Sequence, residues 1–189
     1  MSGYHIIYAD PPWQYRDRNR NGNRGAECKY SVMTPAQINA LPVEDLAAPD
    51  SLCFLWSTMP MLPTAFGVLT SWGFDFVTVA FVWVKTSRGT GNHFVGLGHW
   101  TRANAELVLL GRRGKPKRKA KNVGQIVECP HPPGPHSTKP PIIREEIVRL
   151  CGDLPRVELF ARQKVQGWDR WGNDCPCSRN AVRVLGDPR

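Results

Sequence analysis

Short apolar runs that alternate with helix-patterned segments constrain this 189-residue chain more than any other feature. Tyr4 to Ala9 is a continuous apolar stretch of strand length, the pattern of a parallel strand buried on both faces. It halts at Asp10-Pro11-Pro12, because two prolines cannot continue a central strand. Further runs predict strands at Ser51 to Trp56, Phe74 to Lys85, Asn104 to Leu110, Val123 to Glu128 and Arg156 to Ala161. Between them, Thr34-Pro35 reads as an N-cap with proline at the first helical position. Leu62 to Trp72 suits a helix stopped by Gly73. Pro141 to Cys151 carries apolar residues at 142, 143, 147, 148, 150 and 151, a helical period closed by Gly152. Strands alternating with helices predict an α/β fold of Rossmann-like type, a mostly parallel sheet with helices on both faces. No internal repeat or linker divides the chain, so residues 1–189 are expected to form one domain with an irregular tail from about 174. Trp56, Trp72, Trp83 and Trp100 are expected in the core. Trp168 and Trp171, in a Gly-rich loop, fit core or ligand contact equally. Ligands bind such sheets beyond the carboxyl ends of the strands, which places Asp10 and the residues after Phe160 in one crevice.

The net charge of +9 is concentrated. Arg16 to Arg24 contributes +3 and Gly111 to Lys121 contributes +7, so the remaining residues sum to about −1. Two basic loops with Asp17 as their one acid fit phosphate contacts: Arg16, Arg18, Arg20 and Arg24 in the first, and Lys115, Lys117, Arg118, Lys119 and Lys121 in the second. The expected partner is a polyanion, nucleic acid foremost. No apolar run approaches the length of a membrane span, and the first residues lack the pattern of a signal peptide. A membrane partner is therefore not expected, and a cytoplasmic location is. The sequence leaves oligomeric state open, a homodimer included. Cys53 and Cys151 lie in apolar runs as small core residues. Cys129-Pro-His131 with His136, and Cys175-Pro-Cys177, lack the spacing of zinc motifs, so no metal is expected. His131 and His136, set among prolines, are expected to be exposed.

Asp10-Pro11-Pro12-Trp13 carries the chemistry. The exocyclic amine of adenine is a poor nucleophile because its lone pair is delocalised into the ring. The Asp10 carboxylate and a backbone carbonyl held rigid by the prolines can accept its two N–H bonds and favour the pyramidal amine that attacks a methyl sulfonium. Trp13 offers a face for an extruded base.

These residues, with their neighbours, resemble the methyltransferases related to the 70-kDa catalytic subunit that makes N6-methyladenosine in messenger RNA, a family with short prokaryotic and phage-like relatives. The resemblance runs from Ile6 to about Asn173. It includes IIYADPPW (6–13), CFLWST (53–58), FVWVKT (81–86), GHWTRANAELVLLGRRG (98–114), HSTKP (136–140), VELFAR (157–162) and GWDRWGN (167–173). It implies a methyltransferase fold of permuted order, catalytic motif first and cofactor strand last, with S-adenosyl-L-methionine as cofactor. By resemblance Asp10, Pro11, Pro12 and Trp13 are catalytic, and Asp10 also meets the amino group of the cofactor. Lys139 takes its carboxylate. Glu158 and Arg162 lie near its ribose, Phe160 is also cofactor-binding, Asn173 and Asp174 close over its adenine, and Tyr30 covers the target base. Glu158 in an apolar strand needs a partner, for which Arg162 is a candidate. The chain departs from longer members in having only nine residues before Asp10, where they carry an acidic segment at the cofactor adenine, and in Lys164, where they often have His. The resemblance implies methylation of the N6 amine of adenine in DNA in a prokaryotic or phage-infected cell, with relaxed sequence preference because no segment remains for target recognition. Action on RNA and a non-catalytic nucleic-acid-binding subunit are the alternatives.

Overall fold

The structure is a computed structural model that describes residues 3–14, 32–96, 100–133 and 137–188. Arg16, Arg18, Arg20, Arg24, Cys28, Tyr30 and His136 lie outside these residues. In chain order the elements are β1 (Tyr4–Ala9), α1 (Pro35–Asn39), β2 (Ala47–Ser57), α2 (Leu62–Ser71), β3 (Asp75–Thr86), β4 (Ala105–Arg113), β5 (Ile126–Pro130), α3 (Ile142–Cys151), β6 (Arg156–Leu159), β7 (Asp169–Trp171) and α4 (Arg179–Leu185). The strands form one sheet in the order β5-β3-β4-β2-β1-β6-β7. Only β4 runs antiparallel to its neighbours, and the other pairings are parallel. This is the Rossmann-like α/β arrangement anticipated from the sequence.

The two-residue period of the strands divides the core. Ile7 and Ala9 of β1, Cys53 and Leu55 of β2, Leu109 of β4, and Val157 and Leu159 of β6 face one side, against Ile38 of α1, Val68 and Leu69 of α2, and Ala181 of α4. Ile6, Tyr8, Phe54, Trp56 and Val108 face the other, against Ile143, Ile147 and Cys151 of α3. Helix α1 starts as anticipated: Thr34 Oγ1 accepts the Gln37 N–H, and the Gln37 side chain accepts the Thr34 N–H.

Several expectations need correction. The segment from 174 is not an irregular tail, because Arg179–Leu185 forms α4 and inserts Ala181 into the core. Seven residues with one fully buried side chain are too few for a periodic signal. The Gly-rich stretch after 167 contains edge strand β7, and both Trp168 and Trp171 are buried core residues. Trp56, Trp72 and Trp83 are fully buried, but Trp100 is 100% exposed in the connection between β3 and β4. His131 is only partly exposed, its ring 5.9 Å from that of Trp83. The basic run is not wholly a loop, since β4 continues through Arg113. Because β4 is antiparallel to β2, it carries this run away from Asp10, about 23 Å along the strand from Glu106 to Arg113 at 3.3 Å per residue. Lys115, Lys117, Arg118, Lys119 and Lys121 therefore sit at the opposite end of the sheet from Asp10.

Candidate active site at the carboxyl edge of the sheet

Asp10 lies just beyond the end of β1, between β2 and β6. The chain leaves β1 for β2 over one face, by α1, and reaches β6 over the other, by α3. The connections thus diverge beside β1, the position at which open α/β sheets bind ligands. The backbone after Asp10 is tightly held. The Trp13 N–H donates to the Pro11 carbonyl at 2.9 Å, and the Met33 N–H donates to the Pro12 carbonyl at 2.9 Å. A carbonyl oxygen has two lone pairs, so that of Pro11 keeps one for a ligand. Trp13 does not offer a stacking face: its ring is 4% exposed within the core, and its indole N–H donates to the Trp56 carbonyl at 3.2 Å. It anchors the motif, and the hydrophobic gain of burying an indole explains why.

Four charged groups from four segments meet at this edge. Lys139, from the loop before α3, places Nζ 2.9 Å from Asp10 Oδ2 and 3.4 Å from Glu106 Oε2. Lys85 on β3 places Nζ 2.6 Å from Glu106 Oε1. The ammonium groups lie 5.3 Å from the Trp56 ring and 4.9 Å from the Trp83 ring, respectively. Two carboxylates and two lysines balance, which offsets much of the cost of burying each charge. Burial pushes the Asp10 carboxyl above the usual aspartate range; Lys139 pulls it back in part, and Glu106 adds to the rise. Burial also pushes Glu106 up, but Lys139 and Lys85 outweigh it and hold its carboxyl low. Glu106 was missed as a site residue. Its signal was present, a lone acid in an apolar strand, the same signal that singled out Glu158.

Glu158 finds its partner in Arg144 rather than Arg162. The guanidinium of Arg144 grips the carboxylate at 2.6 and 2.8 Å, both side chains being about nine-tenths buried. Nothing in the helical period marked Arg144 apart from its neighbours. A cavity of about 410 Å³ opens beside Asp10, lined by Pro12, Phe160, Arg162, Asn173 and Asp174 among others. Phe160 adopts φ 61° as β6 ends, and its ring meets that of Trp171 edge to face at 5.5 Å. Of the residues expected at a cofactor, Asp10, Phe160, Arg162, Asn173 and Asp174 share this cavity, Lys139 touches it through Asp10, and Glu158 does not line it. Leu185, Asp187 and Pro188, from beyond the segment expected at the cofactor, line it as well. Two larger hollows, of about 800 and 750 Å³, lie around Arg156 and Trp168 and include neither Asp10 nor Lys139.

Comparison with known proteins agrees with this geometry. The profile of the MT-A70 family matches residues 4–174, a span that contains every described residue of the site except Leu185, Asp187 and Pro188. The chain is 32% identical to the type II methyltransferase M.MunI of a Mycoplasma species, over 97% of this chain and 83% of that protein. It is 30% identical to the human N(6)-adenine-specific methyltransferase METTL4 over 90% of this chain and 37% of the relative. It is 28% identical to the N6-methyladenosine RNA methyltransferase MTA1 of Cryphonectria parasitica, over 90% of this chain and 51% of the relative. The chain thus spans most of the first relative and about half or less of the other two. With Asp10-Pro11-Pro12-Trp13 at the carboxyl edge of its first strand and a match along nearly its whole length, the chain belongs to the MT-A70 methyltransferase family.

Proposed function

We propose that the chain transfers a methyl group from S-adenosyl-L-methionine to the N6 amine of adenine in DNA. The observation that carries the proposal is that Asp10, paired with Lys139, lines the cavity beside the rigid Pro11 carbonyl. An adjoining acid and base of opposite charge fit the ammonium and carboxylate of an amino-acid zwitterion, and the cavity is of ordinary ligand size. The cofactor supplies an electrophilic methyl on a sulfonium. Lys139 would hold its carboxylate, while Phe160, Arg162, Asn173 and Asp174 would surround the remainder. Asp10 and the free lone pair of the Pro11 carbonyl accept the two N–H bonds of the target amine and leave its nitrogen lone pair directed at the methyl carbon. The cofactor would give up its S–C bond as the new N–C bond is made. The surplus proton leaves the nitrogen for solvent or for Asp10, and no covalent enzyme intermediate is needed. DNA is favoured over RNA because MTA1, the relative named for RNA, is matched over only about half its length.

Methyl transfer from labelled cofactor to double-stranded DNA, single-stranded DNA and RNA, with mass spectrometry of the nucleosides, tests this. Label in N6-methyladenine of DNA is expected. Label found only in RNA would overturn the choice of polymer, and no transfer alongside retained nucleic-acid binding would leave a non-catalytic subunit.

The rate of transfer should also report the charge network. Protonation removes the charge of Asp10 and turns one of its two acceptor oxygens into a donor, so kcat should fall as pH drops through a pKa above that of an ordinary aspartate. Glu106→Gln removes a like charge from beside Asp10 and should move this acid limb to lower pH. Profiles of the two proteins measured under saturating cofactor would superimpose if Glu106 did not act on Asp10.

A further inference from the structure

The segment after α4 is placed at the cavity by contacts at both ends of that helix. At its start, the Ser178 N–H donates to the Arg170 carbonyl at 2.8 Å and the Arg170 N–H donates to Ser178 Oγ at 3.0 Å, which ties α4 to β7. At its end, Gly186 takes φ 78°, a left-handed conformation that glycine adopts at little cost, and its N–H closes the helix on the Val182 carbonyl at 2.8 Å. Pro188, two residues on, cannot resume the helix. The Trp171 indole N–H then donates to the Gly186 carbonyl at 2.8 Å. Trp171 is 4% exposed and braced by Phe160, so this contact fixes the direction of the chain as it leaves α4. Leu185, Asp187 and Pro188 consequently line the same cavity as Asp10, Phe160 and Asn173.

We infer that Asp187 is a binding residue for the adenosine half of the methyl donor, with Leu185 and Phe160 as apolar surface for that nucleoside. The inference rests on the function proposed above. Opposite charges are concentrated at Asp10 and Lys139, the end suited to the amino-acid half. The rest of the cavity must then take a nucleoside, which presents an apolar ring face, ribose hydroxyls and an exocyclic amine. Each of those polar groups donates hydrogen bonds, and a carboxylate is the acceptor of greatest capacity, with about four lone-pair sites. Such charge-assisted bonds are roughly twice as strong as neutral ones. The cavity wall combines these features: apolar Leu185 and Phe160 with acceptors at Asp187, Asp174 and Asn173.

Asp187 is exposed and lies beyond the last described helix, outside the buried core. Binding of S-adenosylhomocysteine and of 5′-methylthioadenosine, which lacks the amino-acid half, is measured by calorimetry for wild type, Asp187→Ala and Asp187→Asn. Asp187→Ala should weaken both ligands in parallel by about tenfold, the scale of one hydrogen bond to a charged group. Asp187→Asn, which keeps one acceptor oxygen, should lose less. In turnover, the KM for S-adenosyl-L-methionine should rise with the same factor while kcat stays within about twofold. Unchanged affinities in both variants would overturn the inference, as would a loss confined to the KM for nucleic acid, which would put Asp187 on the path of the substrate strand. Wild type that binds neither ligand would instead overturn the proposed function, and the assignment of Asp187 with it, before any variant is compared.

Discussion

Asp10→Asn should leave a folded protein whose kcat for methyl transfer is about a thousandfold lower, the scale seen when one preorganised electrostatic contact to a reacting group is removed. The amide has the size of the carboxylate and keeps one acceptor oxygen, so packing around Pro11 and Trp13 is undisturbed. It lacks the charge and turns an N–H donor toward groups that are themselves donors, the target amine and Lys139. Lys139 retains Glu106 at 3.4 Å, which limits structural damage. Single-turnover rates at saturating cofactor isolate the chemical step, and circular dichroism checks the fold. A variant within tenfold of wild type would place the acceptor of the target amine elsewhere.

Arg144→Met should destabilise the fold by about 3–5 kcal/mol, the scale for breaking a buried ion pair by removing one partner. The pair is buried between α3 and β6, with Arg144 8% and Glu158 7% exposed. Both carboxylate oxygens are satisfied by the guanidinium, whose carbon also lies 5.5 Å from the Tyr8 ring. Without Arg144, Glu158 remains in a low-dielectric site close enough to Asp10 to feel its charge. It must then either stay ionised without a partner or take up a proton. The double variant Arg144→Met with Glu158→Gln removes that charge and should recover a large part of the loss. Urea denaturation of the four proteins measures the coupling. A single variant as stable as wild type would show that the pair contributes nothing to the fold.

The site was legible where one residue type is physically costly in its local setting. Two prolines ending an apolar strand placed Asp10 at the carboxyl edge, and a carboxylate in an apolar strand marked Glu158 as paired. The same reasoning applies to Glu106, whose run Asn104 to Leu110 is otherwise apolar but for Asn104. The partners were not legible. Lys85, Glu106 and Lys139 meet only because β4 lies beside β3 and the loop before α3 crosses their ends. Arg162, close to Glu158 in sequence, was the natural choice of partner, but α3 packs on the face of the sheet to which Glu158 points and delivers Arg144. Trp100 shows the reverse failure, since apolar character alone does not say that a residue is buried.

The alternation of strands and helices and the halt at Asp10 were legible along the chain because both depend on local steric and hydrophobic preferences, and the motifs carried the resemblance to the family. Tertiary structure decided the antiparallel direction of β4, and with it that the run from Lys115 to Lys121 lies at the far end of the sheet from Asp10. It decided that Trp13 is an anchor rather than a platform, and that α4 and the residues after it wall the cavity. These are properties of which surfaces meet, and no local pattern encodes the partner of a surface when several segments of similar composition compete for it.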